Sequence, residues 1–153
     1  MKVLEVNVDD IGMGGVYALV KGLIFYKEKN VQIDIAAIEP FENHDNIKYL
    51  MNLGCTVHYI GYKNSKILKQ FYCFRNLYHL LMIGQYECVH IHADVANKLF
   101  VSGMACYMVG VKKIILHSHA SSVDGKNRWM KQIFHRLCRL MLKNIATDFV
   151  SCS

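Results

Sequence analysis

The sequence predicts an α/β protein: one domain, built as a three-layer α/β/α sandwich around a mostly parallel sheet. Three observations carry that expectation. Short apolar runs rich in β-branched residues alternate from end to end with segments whose apolar residues recur at helical spacing. Those runs are apolar on both faces, as strands of a parallel sheet covered on each side must be. In 153 residues there is a single proline, Pro40, and no Gly/Ser/Pro-rich stretch divides the chain, so residues 1–153 read as one unit.

In order, Lys2 to Val8 reads as the first strand, followed by a glycine-bearing turn through Gly12, Gly14 and Gly15. Val16, Leu19, Val20, Leu23 and Ile24 then mark one face of a helix. Val31 to Ile38 is a second strand, stopped at Glu39-Pro40. Asn43 is placed to cap a short helix through Leu53, with Gly54 as its stop. Cys55 to Ile60 makes a third strand and about 65–83 a long helix. Glu87 to His92 is a fourth strand, and Asp94 is placed to cap a helix reaching about Val109. Lys112 to His117 is a fifth strand. A polar loop leads into a basic helix over about 127–144, and Thr147 to Ser151 begins a sixth strand.

Hydrophobic residues make up 53% of the chain and charged ones 20%, which excludes a disordered protein. No run of eighteen apolar residues occurs, and the N-terminus lacks the long apolar stretch of a signal peptide. Six scattered cysteines, with no CxxC pair, point to buried free thiols and a cytoplasmic setting. The net charge of +6 is localised. Lys126, Arg128, Lys131, Arg136, Arg139 and Lys143 account for all of it, because the other twelve basic residues are matched by twelve acidic ones. No nucleic-acid-binding motif accompanies this segment. The apolar positions Met130, Ile133, Phe134, Leu137, Leu140 and Met141 are expected to pack inward. Arg128, Trp129, Lys131, Arg136 and Arg139 are expected to face outward, toward solvent or an anionic membrane surface.

In a parallel sheet, ligands sit beyond the C-terminal ends of the strands, so the loops after the first, fourth and fifth strands are where chemistry is expected. Gly14 and Gly15, directly before a helix, allow close backbone approach to a phosphate held at the helix N-terminus. A dinucleotide fingerprint would need a third glycine where Tyr17 stands, although Glu39 lies where a ribose-binding acid would. A stand-alone nucleotide- or dinucleotide-binding module is therefore the alternative reading. Asp9 and Asp10 suggest the acidic pair of a receiver domain, but the third strand ends Tyr59-Ile60-Gly61 without the aspartate that such a domain phosphorylates. The fourth strand ends His90-Ile91-His92-Ala93-Asp94 and the fifth His117-Ser118-His119. Residues two apart share a face, so each pair presents two imidazoles together. A metal site and a polar sugar pocket both fit this pattern. His90 and His117 are expected in the core, and His92 and His119 at the strand tips in contact with ligand.

Four segments in register, Met13-Gly14-Gly15-Val16, Glu87 to His92, Ile115 to His119 and Ala146 to Ser153, resemble the N-terminal domain of family 4 glycosyltransferases of the capsular and exopolysaccharide type. The resemblance covers nearly the whole chain. It implies one Rossmann-like half of a GT-B fold, the acceptor side, with the C-terminal donor domain absent and the chain alone inactive. It implies a retaining transfer from a nucleotide-sugar donor to a glycan or lipid-linked acceptor, with no cofactor and no bound metal. Gly14 and Gly15 would touch the donor diphosphate. His119 would lie at the transferred sugar, with His117 as the other possible register, and His92, Asp94, His117 and Ser118 would line the pocket. Tyr17 departs from the family, many of whose members carry a glutamate there.

Overall fold

The computed structural model describes residues 1–11, 15–62, 66–119 and 128–151; the side chains of 66, 67, 128, 130, 131, 134 and 135 lie outside that description. Among the described residues six strands and five helices alternate: β1 (Lys2–Val6), α1 (Gly15–Tyr26), β2 (Gln32–Ala37), α2 (His44–Asn52), β3 (Val57–Tyr59), α3 (Lys66–Gly84), β4 (Cys88–Ala93), α4 (Ala96–Val109), β5 (Lys113–Ser118), α5 (Arg128–Leu142) and β6 (Asp148–Ser151). All neighbouring strands are parallel, in the order β3-β2-β1-β4-β5-β6. This is the expected Rossmann-like α/β/α sandwich.

The order reverses direction at β1, which sets where everything else goes. Parallel crossovers are right-handed, so helices of leftward and rightward connections land on opposite faces. One core joins Val20 and Ile24 of α1 and Leu50 of α2 to Val3, Ile33, Ile35 and Cys88. The other joins Leu77 and Leu81 of α3, Leu99 and Ala105 of α4 and Cys138 and Leu142 of α5 to Leu4, Val6, Val89, Ile91 and Leu116. Between β1 and β4 lies the switch point, where the two connections leave the sheet in opposite directions and open a crevice.

Local chemistry bounds the elements much as expected. Asn43 accepts a hydrogen bond from the Asp45 amide at 2.9 Å and caps α2, and Gly54 follows with a φ of 82°. Two expectations are corrected. Asp94 does not cap α4; Val95 holds that position without a side-chain hydrogen bond, and Asp94 is exposed. In α5 the longer apolar stripe points outward. Ile133, Leu137, Leu140 and Met141 are exposed, while Cys138, Leu142 and the following Ile145 are buried. Met130 and Phe134 lie outside the described side chains. The helical period reveals stripes but not which one meets the sheet, and here the smaller set packs on α4. Trp129, Arg136 and Arg139 are exposed as expected; the side chains of Arg128 and Lys131 fall outside the description. No helix among the described residues is long and apolar enough to cross a membrane.

The five described cysteines, Cys55, Cys73, Cys88, Cys106 and Cys138, are free and buried. Two buried or anchored carboxylates do structural work. Asp34 accepts from the Thr56 amide at 2.9 Å and the Tyr86 hydroxyl at 3.0 Å, with the Lys2 ammonium 3.6 Å away. Asp10 accepts from the amides of Glu42 and Asn43 at 2.6 and 3.0 Å and from Asn46 at 2.8 Å, tying the loop after β1 to the start of α2.

Candidate functional site

Glu5, His90, His92 and His117 share one sheet face. In the ladder Glu5 pairs with His90, and His92 pairs with His117. Alternation then puts the four side chains together at the C-terminal end of the central strands, beside the switch point. His119 extends the row by one step, and its amide donates to the Ala93 carbonyl at 3.0 Å. Asn7, at a φ of 65°, turns the chain out of β1 and donates from its side-chain amide to the His92 carbonyl at 2.6 Å.

The rings form a tight group. His90 and His92 have centroids 4.1 Å apart, His117 and His119 4.3 Å, and His92 and His117 5.2 Å. Glu5 Oε2 lies 2.9 Å from His90 Nδ1 and 2.8 Å from His92 Nε2, and His92 Nδ1 lies 3.1 Å from His119 Nε2. A carboxylate only accepts, so those two imidazole nitrogens carry the protons; His92 Nδ1 is then an acceptor, and His119 Nε2 donates to it. The result is a directed chain from His119 through His92 to Glu5.

Electrostatics keep this chain in one protonation state near neutrality. Burial alone would raise the Glu5 carboxyl, but the imidazole N–H groups of His90 and His92 outweigh it and hold the carboxyl below the ordinary value. Burial lowers His92 against the pull of Glu5. His117 is depressed to about 4, by burial first and then by the neighbouring imidazoles. His119 is lowered by burial and partly restored by Asp94. At neutral pH Glu5 is ionised, and His92, His117 and His119 are neutral.

The expected site residues sort into three places. His92, His117 and His119 come together, but His92 is wholly buried and His90 is the partly exposed one, the reverse of the expected order. The reason is that β4 runs on through Ala93, so His92 is not at a tip, and Glu5 and His119 close over its two nitrogens. Asp94 and Gly15 lie instead along a neighbouring cleft of about 270 Å³, with Asn7, Asp9, Glu39, Lys69 and Lys98. A Cβ on Gly15 would meet no described atom within 4 Å, so the backbone is open to a ligand there. Gly14 lies outside the described residues. Glu39, the candidate ribose acid, is ion-paired with Lys69. Ser118 is not brought to the histidines. Alternation turns it to the opposite face, where it lines a cavity of about 440 Å³ with Leu116, Arg139 and Lys143.

Sequence reasoning missed Glu5. Its one signal was a carboxylate inside the apolar run Val3-Leu4-Glu5-Val6, a burial that needs a partner. A metal is also within the site's means, because one nitrogen from each of His90, His92 and His117 falls within 4.8 Å of the others.

The fold defines a class: a Rossmann-like α/β/α sandwich similar to one half of a GT-B fold. No protein-family model matches the chain, and no curated protein matches its sequence. Among solved structures, MurG from Acinetobacter baumannii matches the whole chain over 41% of its own length, with a TM-score of 0.59 and 14% identity. UDP-GlcNAc 2-epimerase from Methanocaldococcus jannaschii matches the whole chain over 40% of its length, with a TM-score of 0.60 and 11% identity. The Neisseria meningitidis UDP-GlcNAc 2-epimerase, bound to UDP-GlcNAc, matches 92% of the chain over 38% of its length, with a TM-score of 0.53 and 18% identity. The chain thus spans about two fifths of the length of these structures, and the likeness is one of fold.

Proposed function

We propose that this chain is the acceptor-side half of a retaining, nucleotide-sugar-dependent glycosyltransferase of surface polysaccharide synthesis. The observation that carries the reading is the Glu5–His92–His119 chain at the switch-point crevice. The fold is shared with enzymes named for UDP-GlcNAc, one of them holding that compound, which favours a nucleotide sugar as the ligand class. His119 would face the transferred sugar and α1's N-terminus the donor diphosphate. The buried Glu5 would fix the tautomer of His92, and through it the orientation of His119.

The test is an amide-resonance titration of this chain with UDP-, GDP- and CMP-sugars. Weak binding with shifts gathered at Gly15, Asp94 and His119 is expected. Shifts confined to other regions, or none with any donor, would overturn the site. Submicromolar affinity would overturn the half-enzyme reading, since a complete donor site would then lie in this chain. In the native enzyme, His119→Ala should lower turnover by about 10²-fold, the usual effect of losing one preorganised polar contact.

The outward face of α5 supports a peripheral membrane role for the same enzyme. Trp129, Ile133, Leu137 and Leu140 are exposed, with Arg136, Arg139 and Lys143 exposed among them. Such a surface gains about 1 kcal/mol per basic residue beside anionic lipid. Co-sedimentation with anionic but not neutral vesicles, lost in high salt, is the expected outcome. Equal, poor pelleting with both would leave α5 without a lipid partner.

A further inference from the structure

We propose that His90, His92 and His117 form a binding site for a divalent transition metal of the Zn²⁺ type, with Glu5 as the carboxylate behind two of its ligands. The site rests on side-chain placement alone and not on the transferase reading.

The first argument is convergence. Three imidazoles from two adjacent strands each bring a nitrogen within 4.8 Å of the others. Nitrogens bound to one tetrahedral metal at about 2.0–2.1 Å stand about 3.3 Å apart, so the rings need close by no more than about 1.5 Å to share an ion.

The second argument is the carboxylate. Metal-bound histidines commonly donate their other ring N–H to a carboxylate, which fixes the ring and raises its basicity. Glu5 Oε2 takes Nδ1 of His90 and Nε2 of His92. The nitrogens left for a metal are therefore His90 Nε2 and His92 Nδ1. His90 Nε2 is buried and has no hydrogen-bond partner among the described residues, an uncompensated polar atom that a metal bond would satisfy. Ligation by His92 Nδ1 would replace its hydrogen bond to His119, so the metal-bound and hydrogen-bonded arrangements exclude one another.

The third argument is ligand type. Imidazole nitrogen suits Zn²⁺, Ni²⁺ and Co²⁺ and gives little to Mg²⁺ or Ca²⁺, which seek oxygen. Three protein ligands leave a fourth position for water or a bound molecule.

The experiment is titration of the tag-free, chelator-stripped chain with Co²⁺ at neutral pH, followed by visible absorption, and with Zn²⁺ and Mg²⁺ by calorimetry. One Co²⁺ per chain with the intense d–d bands of tetrahedral nitrogen ligation is expected, with Zn²⁺ displacing it and Mg²⁺ giving no heat. His117→Ala should abolish the bands, and Glu5→Gln should weaken binding about 10- to 100-fold at unchanged stoichiometry. His79→Ala, at an exposed imidazole outside the cluster, should change nothing. Circular dichroism verifies folding, and His90→Gln, at the partly exposed ring, serves if His117→Ala does not fold. Absence of binding at millimolar Co²⁺ would overturn the site. So would binding that survives in a folded His117→Ala or His90→Gln variant, or a thiolate charge-transfer band that assigns the ion to cysteine.

Discussion

Glu5→Met tests whether the buried carboxylate organises the histidine cluster. Glu5 is 3% exposed and its Oε2 accepts from two imidazole N–H groups, so methionine, of similar length and without the carboxylate, removes the acceptor of both at once. A buried donor left without a partner costs about 1–3 kcal/mol, which gives about 2–6 kcal/mol for two. Removing the buried carboxylate also removes its own desolvation cost, which offsets part of that. Neither ring has another described partner for its proton, His90 Nε2 and His92 being buried, so with that offset the expectation lies near the lower half, about 2–4 kcal/mol. For a chain of this size each kcal/mol moves Tm by about 2–4 °C, so thermal unfolding of the metal-free protein should shift down by roughly 5–15 °C. Glu28→Met, at an exposed position, should stay within about 0.5 kcal/mol of wild type and controls for the loss of a negative charge. A Tm for Glu5→Met within about 2 °C of wild type would show that the carboxylate does not hold the cluster.

Two further outcomes are expected. Because the His117 imidazole is depressed to about 4 in the folded chain, against about 6.5 when unfolded, the unfolded state binds the extra proton between those values. Stability is then full above about pH 6.5 and falls as pH drops toward 4, with His92 adding in the same direction and Glu5 only at still lower pH. Urea midpoints across that range and the His117 ring resonances check this in metal-free protein; a ring titrating at its ordinary value would refute it. Tyr86→Phe removes a donor from the buried Asp34 carboxylate and should cost about 1–3 kcal/mol by urea unfolding. An unchanged midpoint would mean that Lys2 and the Thr56 amide satisfy Asp34 without it.

The elements were readable in the sequence because their signals are local. Asn43 and Gly54 mark both ends of α2, and the β-branched runs place the strands within a residue or two of where they lie. The pairing of His90 with His92, and of His117 with His119, followed from the period of a strand. What could not be read depends on contacts between distant segments. Glu5 meets His90 only because β4 inserts beside β1, and nothing within either strand specifies that neighbour. Asp10 looked like half of an acidic pair and is instead a clamp on α2, a role set by a loop 32 residues on. The orientation of α5 turned on which of two stripes α4 accepts, and the amphipathic period is the same either way.

The cluster is also the part of the molecule that packing explains least. The opposite face of the same strands is filled by Leu4, Val6, Val89, Ile91 and Leu116, which need no partners and bury without penalty. On the histidine face, imidazoles and a carboxylate occupy positions where similar apolar side chains would fold at least as well, since replacing buried polar networks by packed apolar residues is often neutral or stabilising. His92 and His117 are depressed, and His90 Nε2 is left without a hydrogen-bond partner among the described residues, so the arrangement stores a cost that the fold does not require. Departures from the packing rule of this kind concentrate where a chain does chemistry or holds a ligand. That the departure sits at the sheet's reversal point, on the C-terminal side of β4 and β5, joins the energetic argument to the topological one.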